Sequence, residues 1–292
     1  MKAGDAPLLA PSGLLAAVLL GRAVQFGNGA FTPEAFAWLT AAVLVLAVGW
    51  LWPARLFPAR LAEQLLPVIG ALGLAYCFAV ISTSSPAIYL RPRGPNPWAT
   101  YQGGLAVAAV CAGLAFSNGR GLRRLGHAGL LLTYAVLGDW LIKTSPQPVI
   151  DVWHIHRESI EALLRGVNPY TITFHNIYPD GRFFGPGMVE NGRLMFGYTY
   201  PPLSLLLSVP GQVLGGDYRY ALLACNLVTA GVMLFVRPSV SASAAAALFL
   251  FTPRSFFVLE QGWTEPMLLM CLALVALAGL KAPRLFPYAL GL

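Results

Sequence analysis

The chain has 292 residues, of which 57% are hydrophobic and only 11% are charged, with a mean hydropathy of +0.65. A soluble domain carries about 25% charged residues, so this composition excludes a soluble globular protein and a disordered or collagen-like chain; it holds enough apolar residues for roughly eight or nine bilayer spans at about 20 apiece. The net charge of +7 is spread singly or in small groups between apolar runs, which excludes the dense basic stripe of a nucleic-acid-binding protein.

Apolar runs bounded by Pro, Gly or Arg predict helices near 8–26, 34–52, 61–82, 103–117 and 127–145. In the first of them Arg22 directly follows the apolar stretch Leu14 to Leu20, and no small-x-small cleavage site precedes the polar Gln25–Asn28 stretch. The reading is a retained span rather than a cleaved leader. After a long polar interval, further runs occur near 201–215, 220–236, 239–252 and 266–280. Those at 201–215 and 239–252 are short for a span, so tilt or partial insertion is expected. No fixed repeat period is visible. The four cysteines, Cys77, Cys111, Cys225 and Cys271, each lie inside an apolar run without a CxxC pair, which points to neither a disulfide framework nor a zinc site.

Orientation follows from the basic residues that flank spans. Arg120, Arg123 and Arg124 read as a short cytoplasmic loop, so the helix at 127–145 crosses outward and the segment from Pro146 to Tyr200 faces outside. Lys281 and Arg284 read as cytoplasmic again. Strict alternation through the last four runs would place Lys281 outside, so one short run is expected to fail to span or to re-enter. The final residues from Leu285 to Leu292 resemble the start of another span, and the chain is expected to be a fragment at its C-terminal end.

The segment Pro146–Tyr200 differs in composition from the rest. It holds Asp151, Glu158, Glu161, Asp180 and Glu190, five of the twelve acids, and His154, His156 and His175, three of the four histidines. A helical pattern runs from Val152 to Arg165, with Asp151 placed as N-cap and Gly166 just past the end. Val152, Ile155, Ser159, Ala162 and Leu163 share one face, while His154, Arg157, Glu158 and Glu161 project elsewhere. This is an amphipathic helix suited to lie on a membrane surface. Residues two apart on a helix diverge, so His154, His156 and His175 with Glu158 are not read as a metal site. Asn168-Pro169-Tyr170 forces a turn. Tyr198-Thr-Tyr200-Pro-Pro-Leu203 then returns the chain to the membrane, its prolines at a helix start and its tyrosines suited to the interface. Asp139, beside Trp140 at the outer end of its helix, reads as an interfacial residue.

Asp151, the amphipathic helix ending Ala162-Leu-Leu-Arg-Gly-Val-Asn-Pro-Tyr170, and Tyr198-Thr-Tyr-Pro-Pro-Leu203 together resemble the GT-C superfamily of membrane glycosyltransferases. Within it the likeness is to the polyprenol-phosphate-mannose-dependent mannosyltransferases and their bacterial relatives. Phe256-Phe-Val-Leu-Glu260-Gln261-Gly-Trp-Thr-Glu265-Pro266 is similar to a later outward loop of that group. The resemblance covers about residues 127–292, which would form a catalytic module truncated at its C-terminus, with 1–126 an N-terminal extension of about four helices that the family lacks.

The resemblance implies an all-α, polytopic transmembrane helical bundle with a large outward-facing loop carrying a short amphipathic interfacial helix. Its activity would be transfer of a sugar, a hexose such as mannose, from a polyprenyl-phosphate donor to a lipid, glycan or protein acceptor, with inversion. The implied place is a cell membrane of the bacterial inner-membrane kind, with no nucleic-acid partner. The family's acid at the start of the first outward loop, a general base, maps onto Asp151. His154, His156 and Arg157 are candidates to hold the departing lipid phosphate, although Arg157 reads equally as a surface anchor. Asn168, Tyr170 and Tyr200 are turn and helix-start residues that double as candidate substrate contacts. Glu260, Gln261 and Glu265 join them, since acids beside membrane runs are costly and often functional; Glu265 also suits the positive end of a helix. No cofactor or metal ligand is assigned, and a divalent metal is left open. The rival readings are a transporter or flippase, which expects ionisable groups in broken helices, and a non-catalytic membrane scaffold.

Overall fold

A computed structural model describes residues 8–52, 58–178 and 183–291. Lys2, Asp180 and the terminal Leu292 lie outside the described residues. The protein is an all-helical bundle with almost no strand. Five helices are long and apolar enough to cross a membrane, or six if one bent pair counts as a single span, among the described residues. The chain divides into two compact units, described separately below.

The first unit comprises residues up to Ile88, Gly94–Leu137 and Thr229–Phe257. Helix α1 (Leu9–Gly27) stops where Asn28 turns left-handed at φ 53°. Helix α2 (Pro33–Leu51) starts on a full set of signals. Thr32 Oγ1 accepts from the Ala35 amide at 3.1 Å, Pro33 occupies the first turn, and Glu34 sits at the positive dipole end. Very little of α2 is buried inside the protein; Val43, Leu44, Val48, Trp50 and Leu51 are exposed, the surface a lipid-facing helix presents. Helix α3 (Ala59–Ser82) follows, then α4 (Ala99–Ala115), which begins four residues before the apolar run that predicts it.

Helix α5 (Arg120–Thr144) starts at the basic residues themselves. Arg120, Arg123 and Arg124, expected in a loop, therefore form the opening turns of α5. The chain can wind there because Gly119 supplies the carbonyl that accepts the Arg123 amide at 2.9 Å. Gly126 lies against the backbone of α4; a Cβ there would stand 2.7 Å from the Cys111 carbonyl oxygen and 2.8 Å from Ala115 Cα. Small residues at such a crossing let backbones approach where lipid provides no hydrophobic drive between helices.

The core of this unit gathers on α9 (Val240–Phe251), whose N-cap Ser239 accepts from the Ala242 amide at 3.1 Å. It is apolar all round, and Ala244, Ala246, Ala247, Leu248, Leu250 and Phe251 are buried. Phe251 meets Phe78 of α3 and Tyr134 of α5, at 5.3 and 5.8 Å between ring centroids, and Tyr134 stacks on Phe256 at 5.0 Å. The short run expected at 239–252 thus becomes α9, and a 48° bend separates it from α10 (Ser255–Gln261); this is the bent pair.

The second unit comprises Tyr89–Arg93, Gly138–Val228 and Val258–Leu292. Its helix α6 (Asp151–Leu164) is followed by Gly166 at φ 73°, the left-handed residue past the helix end. Three two-residue strands, β1 (Phe174–His175), β2 (Val189–Glu190) and β3 (Arg193–Leu194), form an antiparallel sheet in the order β1-β3-β2. Phe174 and Val189 both pair with Leu194, and His175 and Glu190 with Arg193. Asn191 and Gly192 turn β2 into β3 with φ of 48° and 74°, the two positive values that a tight hairpin turn needs. Helices α7 (Pro202–Gly215), α11 (Glu265–Lys281) and α12 (Phe286–Ala289) also belong to this unit, as does the first part of α8 (Arg219–Val236) up to Val228.

The close approach at Gly126 sets a stability contrast. Gly126→Ala is expected to lower the thermal midpoint of the detergent-purified protein, by about 1–3 kcal/mol in stability. Gly121→Ala, where nothing lies within 4 Å, should be neutral or stabilising by up to about 1 kcal/mol through helix propensity. Midpoints that fall equally in both variants would contradict the packing described.

Candidate functional site

The second unit brings most of the sequence-predicted site residues onto α6 and the segments beside it. Asp151 is the first residue of α6 rather than its N-cap: Ile150 holds that position in an extended conformation with no side-chain cap. The reason is local. The Asp151 carboxylate turns to the adjacent Val152 amide, at 2.9 Å, instead of reaching the second or third turn amide. It is half-buried at the positive end of the helix, and the Tyr178 hydroxyl stands 3.4 Å from its Oδ1.

Tyr200 draws several other candidates together. Its phenol pKa is pushed up to about 12, by burial first and then by the negative charges of Asp151 and Glu265. The Tyr170 hydroxyl donates to the Tyr200 carbonyl at 2.9 Å, and Asn168 Oδ1 holds the Tyr170 amide at 3.0 Å. Pro169 occupies the first position of that 3-10 turn, Pro169–Thr171, and its carbonyl accepts the Tyr198 amide at 3.0 Å. Gly197 is required at this crossing, because a Cβ would collide with the Tyr170 backbone. Glu265 is exposed in the first turn of α11. Asn168, Tyr170 and Tyr200 therefore form one hydrogen-bonded neighbourhood, on which the charges of Asp151 and Glu265 act.

Behind this neighbourhood lies a buried relay. His156 is fully buried; its ring stacks on Tyr218 at 4.8 Å and meets Tyr198 and Tyr200 at 5.1 and 5.2 Å. His156 Nε2 lies 2.7 Å from Tyr198 Oη, which lies 2.9 Å from Ser204 Oγ. Ser204 donates its own proton to the Pro201 carbonyl at 2.7 Å. The proton inventory then assigns the chain: Tyr198 donates to Ser204, so Tyr198 Oη must accept from His156 Nε2–H. Nδ1 is left as a buried lone pair with no partner. Burial pushes the His156 pKa down to about 4, so the ring is neutral near pH 7. The relay ties α6 to the Tyr-Pro-Pro start of α7.

The remaining candidates sit apart from that neighbourhood. Arg157 is exposed, pairs with Glu161 at 3.0 Å and covers the Trp153 ring at 5.3 Å. His154 is half-buried; burial lowers its pKa first, and the Arg157 and His175 charges add to the effect while Asp151 opposes it. Glu158 moves up, again chiefly by burial, with Arg193 opposing. Arg193 is held by Thr173 through its Nε and Nη2. Among the described residues, no group of three or more His, Cys, Asp or Glu side chains is placed to hold a metal ion. Asp139 bonds Lys143 at 2.8 Å and accepts from the Tyr220 hydroxyl at 2.9 Å.

Glu260 and Gln261 are buried in a second centre that centres on Arg219. Arg219 has no exposed surface. Its Nε and Nη2 bond Asp217 at 2.6–3.1 Å, Nη2 also reaches the Ser145 carbonyl at 2.7 Å, and Nη1 reaches the Glu260 carbonyl at 3.2 Å. The Glu260 carboxylate accepts from the Tyr89 amide at 2.9 Å and from Gln261 Nε2 at 3.1 Å. The Tyr218 hydroxyl donates to the Gly262 carbonyl at 2.9 Å. Asp217, Tyr218 and Arg219 are absent from the sequence-derived set. A signal for them exists: an arginine in the first turn of α8 opposes the helix dipole and needs a compensating partner.

No family model matches the sequence, and neither does any curated protein or any solved structure.

The relay makes stability depend on pH. The folded pKa of His156 lies below the 6.5 of a free histidine, so the unfolded chain binds the extra proton. Its contribution is fully present above pH 6.5 and declines as pH falls toward 4, by roughly 3 kcal/mol at most. Thermal unfolding in detergent should show that decline, and His156→Gln should flatten it across the same window. An unchanged slope in the variant would sink the assignment.

Proposed function

We propose that this protein is an integral-membrane, inverting glycosyltransferase of the GT-C type. As a multi-pass protein of the bacterial inner membrane, it takes a hexose such as mannose from a polyprenyl-phosphate donor and transfers it to an acceptor on the outer face of that membrane. The acceptor hydroxyl oxygen bonds to C1 of the sugar as the C1–O bond to the lipid phosphate breaks. Asp151 takes the hydroxyl proton, and the polyprenyl phosphate leaves with the bonding pair. What supports this reading is a half-buried carboxylate at the start of α6, Asp151, with Oδ1 held by the Val152 amide and its charge acting on Tyr200 of the Tyr-Pro-Pro segment.

The roles follow from position. Asp151 is the base because it is half-buried at a helix start, and its Oδ1 takes the Val152 amide and the Tyr178 hydroxyl, which leaves Oδ2 for the acceptor. Glu265 stabilises positive charge developing at the sugar ring. Tyr170 and Tyr200 line the acceptor or sugar, in keeping with the way aromatic faces receive pyranose rings. His154 and Arg157, on the outward side of α6, face the lipid phosphate. His156 positions Tyr198 and the segment that carries Tyr200. Glu260 and Gln261 support the fold from within.

A transporter or flippase is the second reading, favoured by one observation: buried Arg219 and Glu260 cluster with half-buried Asp217 at the end of α10, the second helix of the bent pair. Two measurements separate the readings. With polyprenyl-phosphate mannose as donor, Asp151→Asn should cut glycosyl transfer by at least about 10²-fold while leaving expression and thermal midpoint unchanged; full activity in that variant defeats the base assignment. Substrate flux in proteoliposomes without any glycosyl product would favour the transporter.

A further inference from the structure

The first unit carries a basic cavity that the transferase reading does not use. It has a volume of about 450 Å³ and is lined by Arg120, Arg123, Arg124, His127, Phe235 and Pro238. A cavity of this size accommodates a small ligand.

Three observations define its chemistry. The charge is uncompensated: among the described residues, Arg120, Arg123 and Arg124 pair with no carboxylate. The charge is also placed against local preference, since all three arginines stand in the first turns of α5. Each stands there against the positive end of the helix dipole. A feature that breaks a local rule needs a compensating gain, and an anion bound at this end converts both the dipole and the guanidinium groups from repulsion to attraction.

The wall itself supplies the third observation. His127 is 1% exposed, with Nε2 2.8 Å from Ser243 Oγ. Ser243 spends its proton on the Ser239 carbonyl at 3.1 Å, so Nε2–H donates and Nδ1 is left bare. That Nδ1 is buried and has no partner in the protein. Since His127 lines the cavity, the wall holds a buried polar atom that the protein leaves unpartnered. Beside the polar wall, Phe235 is 53% exposed and Leu122 and Leu125 are exposed on the same end of α5.

We propose that the basic end of α5 is a binding site for a phosphate group, held by the guanidinium forks of Arg120, Arg123 and Arg124 over the buried edge of His127. Guanidinium is the side chain whose paired N–H groups match phosphate oxygens. The phosphate belongs to an anionic lipid headgroup or to a soluble phosphate; both offer the same oxygens. The site is independent of the transferase reading, because it shares no residue with it.

The test uses the whole chain, purified in neutral detergent, with the thermal midpoint followed against ligand concentration. One arm adds phosphatidylglycerol against phosphatidylcholine; the other adds sodium phosphate against sodium chloride at matched ionic strength. A saturable rise in either arm is expected. A rise with phosphatidylglycerol alone identifies a lipid headgroup, and a rise with both identifies phosphate as such. Arg120→Gln with Arg124→Gln, both at exposed positions, should weaken the apparent affinity by about tenfold or more per guanidinium. Arg123→Lys keeps the charge, loses the fork and should weaken it less than Arg123→Gln. Lys143→Gln, whose lysine pairs with Asp139 elsewhere, should leave it unchanged. No rise in either arm, or a rise of equal affinity in the Arg120/Arg124 double variant, overturns the proposal.

Discussion

A guanidinium with no contact with solvent is the constraint on which the second unit depends. Removing one partner from a buried, paired charge costs about 3–5 kcal/mol, because the other charge is left without compensation. Arg219 can be buried only while Asp217, the Ser145 carbonyl and the Glu260 carbonyl are all in place. Those three groups come from the start of α8, the end of α5 and the end of α10. The arginine therefore specifies where three chain segments converge, and it does so through geometry rather than through added stability. Tyr218, locked next to it by the Gly262 carbonyl, supplies the flat surface on which His156 stacks. The position of α6, and with it Asp151, is thus set from below.

The site above this foundation separates positioning from chemistry. The His156–Tyr198–Ser204 relay consumes its protons internally and ends on a backbone carbonyl. It is suited to rigidity rather than to proton transfer with a substrate. Asp151 and Glu265 are accessible by contrast, and they share the field around Tyr200. Rigid support beneath a pair of accessible carboxylates is the arrangement that holds reacting groups to a fraction of an ångström.

The helices apolar enough to cross a membrane were legible in the sequence within a few residues, save α5, whose arginine turns precede its apolar run, because apolar runs end at Pro, Gly and Arg, residues that act on the backbone locally. The amphipathic helix was legible for the same reason, down to Gly166 past its end. The small sheet was not read, although Asn191-Gly192 between Glu190 and Arg193 carries a strong hairpin signal; the strands are two residues long, too short to show alternation. Asp151 was displaced by one position, since a cap depends on backbone angles that Pro148 and Ile150 set together. Arg219 could not be read as a centre, because its partners at Ser145 and Glu260 are distant in sequence. The joint action of Asp151 and Glu265 on Tyr200 had the same obstacle, since the three lie far apart in the chain.

The alanine-rich helix α9 also bears on how the protein is made. It supplies Phe251 and the small-residue face against which α3 packs, yet the ribosome delivers α3 long before it, with the whole polar segment synthesised between them. Until α9 emerges, the Phe251 ring that Phe78 and Tyr134 meet is missing. The first unit is therefore a fold of high contact order whose early helices must wait in the bilayer with an unfilled seam.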